Sequence, residues 1–182
     1  INYGWSSSVA VLGIIDTISS IIFMIVMGIN EGTQPIISYN YGAKNYKRVK
    51  EAIFKSLYIS TIIGSLSLIL IVIFKGDIIG IFSKDTELIK KCEEVLLIYM
   101  LMTPLLGFQT LGVNFFQAID RSGIAIFLNI FRKVLMLIPL ILVLPKWFGE
   151  IGIWYANPVS DLIAAIVTFY FLKREFKILN HK

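Results

Sequence analysis

The chain has 182 residues, of which 57% are hydrophobic and only 16% charged, with a formal net charge of +5. A water-soluble domain of this size needs about 25% charged residues for its polar shell, so a soluble fold is excluded. The single cysteine, Cys92, rules out an intrachain disulfide framework, and the positive charge falls between apolar segments rather than along one face, which argues for membrane topology and against nucleic acid.

Five apolar segments follow one another, at about 6–39, 49–74, 95–117, 123–144 and 152–172. Each is long enough, at 1.5 Å rise per residue, to cross a hydrocarbon core of about 30 Å. The alternating ten-residue pattern of a membrane barrel is absent, so the backbone is expected to satisfy itself in helices. The fold class is therefore all-α, a polytopic integral membrane helical bundle of about five transmembrane helices.

The first segment carries Asp16 beside Thr17, Ser19 and Ser20. Its regular helix is predicted to end near Gly28, because Gly32 and Pro35 follow, before a rim of Tyr39, Asn40, Tyr41 and Gly42 and a basic loop. Between the second and third segments, Ser83 or Asp85 is expected to cap a new helix. The third segment holds Gln109, Asn114 and Gln117 on its inner part. A turn at 120–123 leads to the fourth, which carries Arg132 and Lys133, and a second turn is predicted at 145–149. The fifth contains Asn157, Pro158, Ser160 and Asp161 in a kinked stretch, and the basic tail 173–182, with His181, is predicted to fray in solvent.

Lysine and arginine placement sets an expected orientation. One side holds Lys44, Lys47, Arg48, Lys50, Lys55, Arg121, Arg132, Lys133, Lys173, Arg174, Lys177 and Lys182; the other holds Lys75, Lys84, Lys90, Lys91 and Lys146. The positive-inside rule then places the C-terminus in the cytoplasm of a multi-pass plasma-membrane protein. Trp147, Phe148 and Trp154 would form an outer aromatic belt, and Tyr39, Tyr41 and Tyr46 an inner one.

Ionisable groups at membrane depth usually face a protein interior or a wet cavity. Asp16, Glu31 and Asp161 qualify on that ground, Glu31 at the broken end of the first segment being read mainly as solvated; Asp16 and Asp161, with Gln109 and Asn114 as amides, are the candidates for a substrate or ion pathway. Each has a purely structural reading as well: interhelical glue for the amides, and pairing for Asp161, with Arg132 as its partner. No zincin, nucleophile-elbow or phosphate-loop motif is present, so the chain is not read as an enzyme, and no cofactor is expected.

Three stretches carry a family resemblance. Gly28-x-x-x-Gly32-x-Gln34-Pro35-Ile-x-x-Tyr39-Asn40-Tyr-Gly42-Ala, followed by Arg48-Val, resembles an inner-face helix end of the multidrug and toxin extrusion family. Phe115-Phe-Gln-Ala-Ile-Asp120-Arg121 resembles its next inner loop, where Phe-Phe-Gln-Ala-x-Gly-Lys is usual. Leu144-Pro through Trp154, Pro158 and Asp161 resembles the last outer loop and helix of the staphylococcal-type exporters.

The resemblance implies a twelve-helix protein of two six-helix lobes related by an axis along the membrane normal. Residues 1–182 would then be an incomplete C-terminal lobe, helices eight to twelve, consistent with a chain that starts at Ile1 rather than at methionine; the N-terminal lobe would be missing. It also implies rocker-type alternating access, with Pro35 and Pro158 as bending points. Small amphipathic cationic drugs would be exported in exchange for sodium ions or protons. One sodium-coupled branch carries an acidic residue in the span equivalent to 95–117; none stands there in this chain, so coupling is expected to reside in the other lobe. A lipid-linked oligosaccharide flippase, which would show more basic residues at depth, and a non-transporting membrane scaffold are the alternatives.

Overall fold

Asp16 and Asp161 come from the two ends of a chain that turns back on itself four times. The computed structural model describes residues 3–180; Ile1, His181 and Lys182 lie outside the described residues. Helix α1 runs Tyr3–Gly42, α2 Tyr46–Gly80, α3 Thr86–Met100 and α4 Thr103–Ala118. Then α5 (Ser122–Ile130), a π-helical segment (Phe131–Leu137) and α6 (Ile138–Phe148) form one span, and α7 (Glu150–Asn180) closes the chain. By length and composition four helices can cross a membrane, or five spans when α3 and α4, bent by 45° at their junction, count as one.

Several boundaries differ from those the sequence predicts. Helix α1 does not end near Gly28 but continues through Pro35 to Gly42. Proline removes one donor, and the C-terminal half of the helix is held instead by packing on α2: Thr33 Oγ1 lies 2.7 Å from Ser56 Oγ, and Ile37 and Asn40 are buried. Another proline has the opposite effect. Pro104 cannot supply the N–H that the Met100 carbonyl would accept in a continuous helix. The Thr103 hydroxyl donates to that carbonyl at 2.6 Å, and the span predicted as a single piece at 95–117 bends at Leu101 and Met102. Helix α2 outruns its predicted end but has non-helical torsions at Phe74, where the apolar pattern stops. The turn predicted at 145–149 is helical to Phe148 and reverses at Gly149, whose φ of 64° and ψ of −149° suit only glycine.

The tail also departs from expectation. It remains helical to Asn180, and Glu175 and Leu179 within it are buried. Arg121 Nη1, in the α4–α5 turn, lies 2.7 Å from Glu175 Oε2. Asp85 caps α3 as predicted, accepting from the Glu87 and Leu88 amides. Trp154 is not part of an interfacial belt; it is buried, whereas Trp147 is 77% exposed.

Two apolar cores result. One lies toward the α1–α2 and α4–α5 turns, around Ile53, Phe115, Phe116 and Leu172. The other gathers Val11, Ile15, Ile79, Leu96 and Trp154 at the opposite end. Helix α4 is wedged between α2 and α7 through residues lacking side chains. A Cβ on Gly107 would collide with Ser60, one on Gly112 with Thr168, and one on Gly64 would sit 2.7 Å from the Thr103 carbonyl oxygen. Small residues let membrane helices approach this closely. The outer faces, with Leu142, Ile73 and Phe169 exposed, are as apolar as a lipid-facing surface requires.

At the end of α4, Asp120 has a φ of 61°, in the left-handed region. Glycine is usual at this point of the resembling motif, and the torsion explains why. Asp120→Gly is expected to stabilise the protein by about 0.5–1 kcal/mol. The melting temperature of the detergent-solubilised protein checks this; an unchanged or lower value would mean the aspartate is not strained.

Candidate functional site

A cleft of about 330 Å³ opens between α1, α3, α4, the π segment and α7. The bend at Leu101 sets one wall, because Tyr99, Met100 and Thr103 flank the break and all line the cleft. The π segment sets another. Its widened turn precedes Pro139, which has no N–H for the preceding turn, and the carbonyl of Arg132 accepts a 3.0 Å bond from Ser160 Oγ on α7. The Arg132 side chain folds the same way: its Nε donates to Asp161 Oδ1 at 2.7 Å, with the two side chains 20% and 10% exposed. One arginine is thus fastened to α7 through both its main chain and its guanidinium.

Asp16 faces the cleft from α1. It is exposed, accepts a long 3.4 Å bond from the Tyr99 hydroxyl, and forms no salt bridge among the described residues. Ser19 and Ser20 beside it also line the cleft, and their hydroxyls donate to the carbonyls of Ile15 and Asp16 one turn back. The polar inventory is therefore two carboxylates against one guanidinium, with Asn157 and Thr103 completing the wall. Such a cleft favours a positively charged visitor near Asp16.

The structure brings together two of the four pathway candidates, Asp16 and Asp161, and the predicted pairing of Asp161 with Arg132 is present. It does not bring Gln109 or Asn114 there. Gln109 is 3% exposed inside the helix packing, and its Oε1 has no hydrogen-bond partner; Asn114 is half-buried away from the cleft, and Gln117 is exposed rather than sharing the buried face of Gln109. Gly28, Gly32, Gln34, Pro35, Tyr39, Asn40 and Gly42 all lie on the C-terminal half of α1 and do not line the cleft. Asn40 helps end α1, its carbonyl accepting from the Asn45 amide at 2.8 Å. Pro158 is buried in α7 next to the cleft residue Asn157. Tyr99 and Thr103 are cleft residues that sequence reasoning misses, their position around Pro104 being the available signal; Asn157 stands in the kinked stretch named from the sequence, without a pathway role there.

Comparison with known proteins gives a consistent picture. Residues 3–143 match the model of the MatE family. A "FAD transporter" of Shewanella oneidensis is 27% identical over 172 residues, covering 92% of this chain and 37% of that protein. The "Multidrug export protein MepA" of Staphylococcus saprophyticus is 28% identical over 145 residues, covering 79% of this chain and 31% of that one. Among solved structures, a complex of the MATE multidrug transporter DinF-BH superposes with a TM-score of 0.85 at 32% identity, over 94% of this chain and 39% of that chain. The chain therefore spans between about a third and two fifths of the length of these relatives.

Proposed function

The chain belongs to the MatE family, and on that premise we propose that it serves a secondary transporter exporting small amphipathic cations in exchange for sodium ions or protons. Members of this family are transporters, not enzymes, and the chain is a multi-pass membrane protein. The observation that carries the proposal is Asp16: a carboxylate within an apolar span, in a cleft, whose one side-chain hydrogen bond among the described residues is a long one from a tyrosine. A charge held there without a fixed countercharge is suited to meeting a mobile cation. The names of MepA and of the DinF-BH multidrug transporter support the choice of substrate class.

In the complete protein this chain would form one wall of a cavity, with the remaining lobe opposite. The coupling ion would bind either at this cleft or in that lobe. The lysine and arginine distribution supports a cytoplasmic C-terminus in the plasma membrane. A flippase for a phosphate-bearing lipid is less well supported, because the cleft's arginine is already engaged by Asp161. The same engagement weighs against an anionic substrate such as the one named for the Shewanella relative.

Asp16→Asn in the full-length transporter is expected to lower efflux of ethidium, a fluorescent amphipathic cation, by about tenfold, or ~1.4 kcal/mol, within the ~1–4 kcal/mol attraction of two charges about 4 Å apart. Dye efflux from cells with matched expression is the measurement. Wild-type efflux by the asparagine variant would remove Asp16 from the pathway.

A further inference from the structure

A second feature lies on the opposite side of α4 from the cleft. Leu106 lines the cleft and Phe108 does not; two residues apart, their side chains point about 200° apart around the helix. Phe108 belongs to a furrow between α2, α4 and α7. Three hollows, of about 540, 440 and 330 Å³, join end to end. The first two share Phe54 and Asn180, and the second and third share Phe108 and Phe169.

The furrow changes character along its length. At one end Lys47, Lys50 and Lys55 of α2 surround it, with Lys173 and Lys177 of α7 alongside; Glu51 is the single carboxylate among the described residues lining it. Lys50 Nζ donates to Asn180 Oδ1, tying the start of α2 to the end of α7. Beyond the lysines the lining is apolar. Phe54 and Phe176 stack across the two helices at 5.2 Å, Phe108 and Phe169 face each other at 6.4 Å, and the last stretch has no polar side chain. From Asn180 to Leu162, α7 rises about 27 Å, more than the ~15 Å half-thickness that one acyl chain occupies.

We infer that this furrow is a binding site for an anionic phospholipid, its phosphate held by the lysines and an acyl chain laid along the phenylalanines. Charge complementarity chooses the headgroup, since five ammonium groups meet one carboxylate. The apolar continuation chooses a lipid over a soluble anion, since only a lipid fills both ends. Basic pockets between membrane helices are known to take such headgroups. The inference rests on the chain lying in a bilayer and is independent of what the cleft transports.

The test is native mass spectrometry of the full-length protein, released in detergent with equal amounts of phosphatidylglycerol and phosphatidylcholine of identical acyl chains. Preferential retention of phosphatidylglycerol is expected. The triple variant Lys47→Gln, Lys50→Gln, Lys55→Gln should weaken that retention by about fivefold per lysine. The double variant Lys84→Gln, Lys146→Gln, at the other end of the helices, should leave it unchanged. Equal retention of the two lipids would overturn the inference. So would a triple variant that keeps the preference, or inorganic phosphate that displaces the lipid at millimolar concentration, which would mark a soluble-anion site.

Discussion

Arg121→Ala is expected to destabilise the protein by about 3 kcal/mol, the lower end of the scale for breaking a buried ion pair from one side, because Glu175 is buried but the arginine side chain is 37% exposed. Glu175 is 2% exposed; Oε2 receives the Arg121 guanidinium at 2.7 Å, and Oε1 has no hydrogen-bond partner. Without the arginine the buried carboxylate would have no ion-pair partner among the described residues. The loss should appear as a lower melting temperature in detergent and as earlier proteolysis in the α4–α5 turn. Adding Glu175→Leu to Arg121→Ala should recover most of the stability, because the cost lies in the orphaned charge rather than in the missing pair. A single variant that melts within ~0.5 kcal/mol of wild type would show that Glu175 needs no partner, contrary to the usual cost of a buried charge.

The second large effect is expected at Arg132. Arg132→Gln alone should cost about 3 kcal/mol or more, for the same reason, since Asp161 is only 10% exposed on its side chain. Here the double variant separates two roles. Arg132→Gln with Asp161→Asn keeps the shape and removes both charges, so stability should return. If the pair also opens and closes as the transporter turns over, dye efflux should stay low despite the restored melting temperature. Wild-type efflux by the double variant would make the pair a structural strut alone.

The sequence made the helical membrane fold legible because apolar length is a local property. Asp161 with Arg132 could be anticipated because a charge at membrane depth needs a partner, and few were on offer. Glu175 is not legible because Lys173, Arg174 and Lys177 around it make the stretch read as solvated tail; its burial depends on where α4 ends, information that is not local. Pro35 and Pro104 show the same limit. Both remove one donor, but α1 is braced by the Thr33–Ser56 contact, whereas Thr103 offers the Met100 carbonyl an alternative and the chain bends. Gln109 was legible as polar but not as buried, since its surroundings are set by the glycines that pull α4 between α2 and α7.

The π segment at Phe131–Leu137 has one more consequence, for insertions and deletions. In an α-helix each residue turns the chain by about 100°, so losing one residue rotates everything beyond it away from its neighbours. A π turn closes i to i+5 and so already stores a surplus residue. One residue removed here would tighten the turn to α-helical form and leave α5 and α6 facing the partners they now have. A one-residue deletion in this segment is therefore expected to keep both ends of the span in register, where the same deletion within a regular α-helix would not.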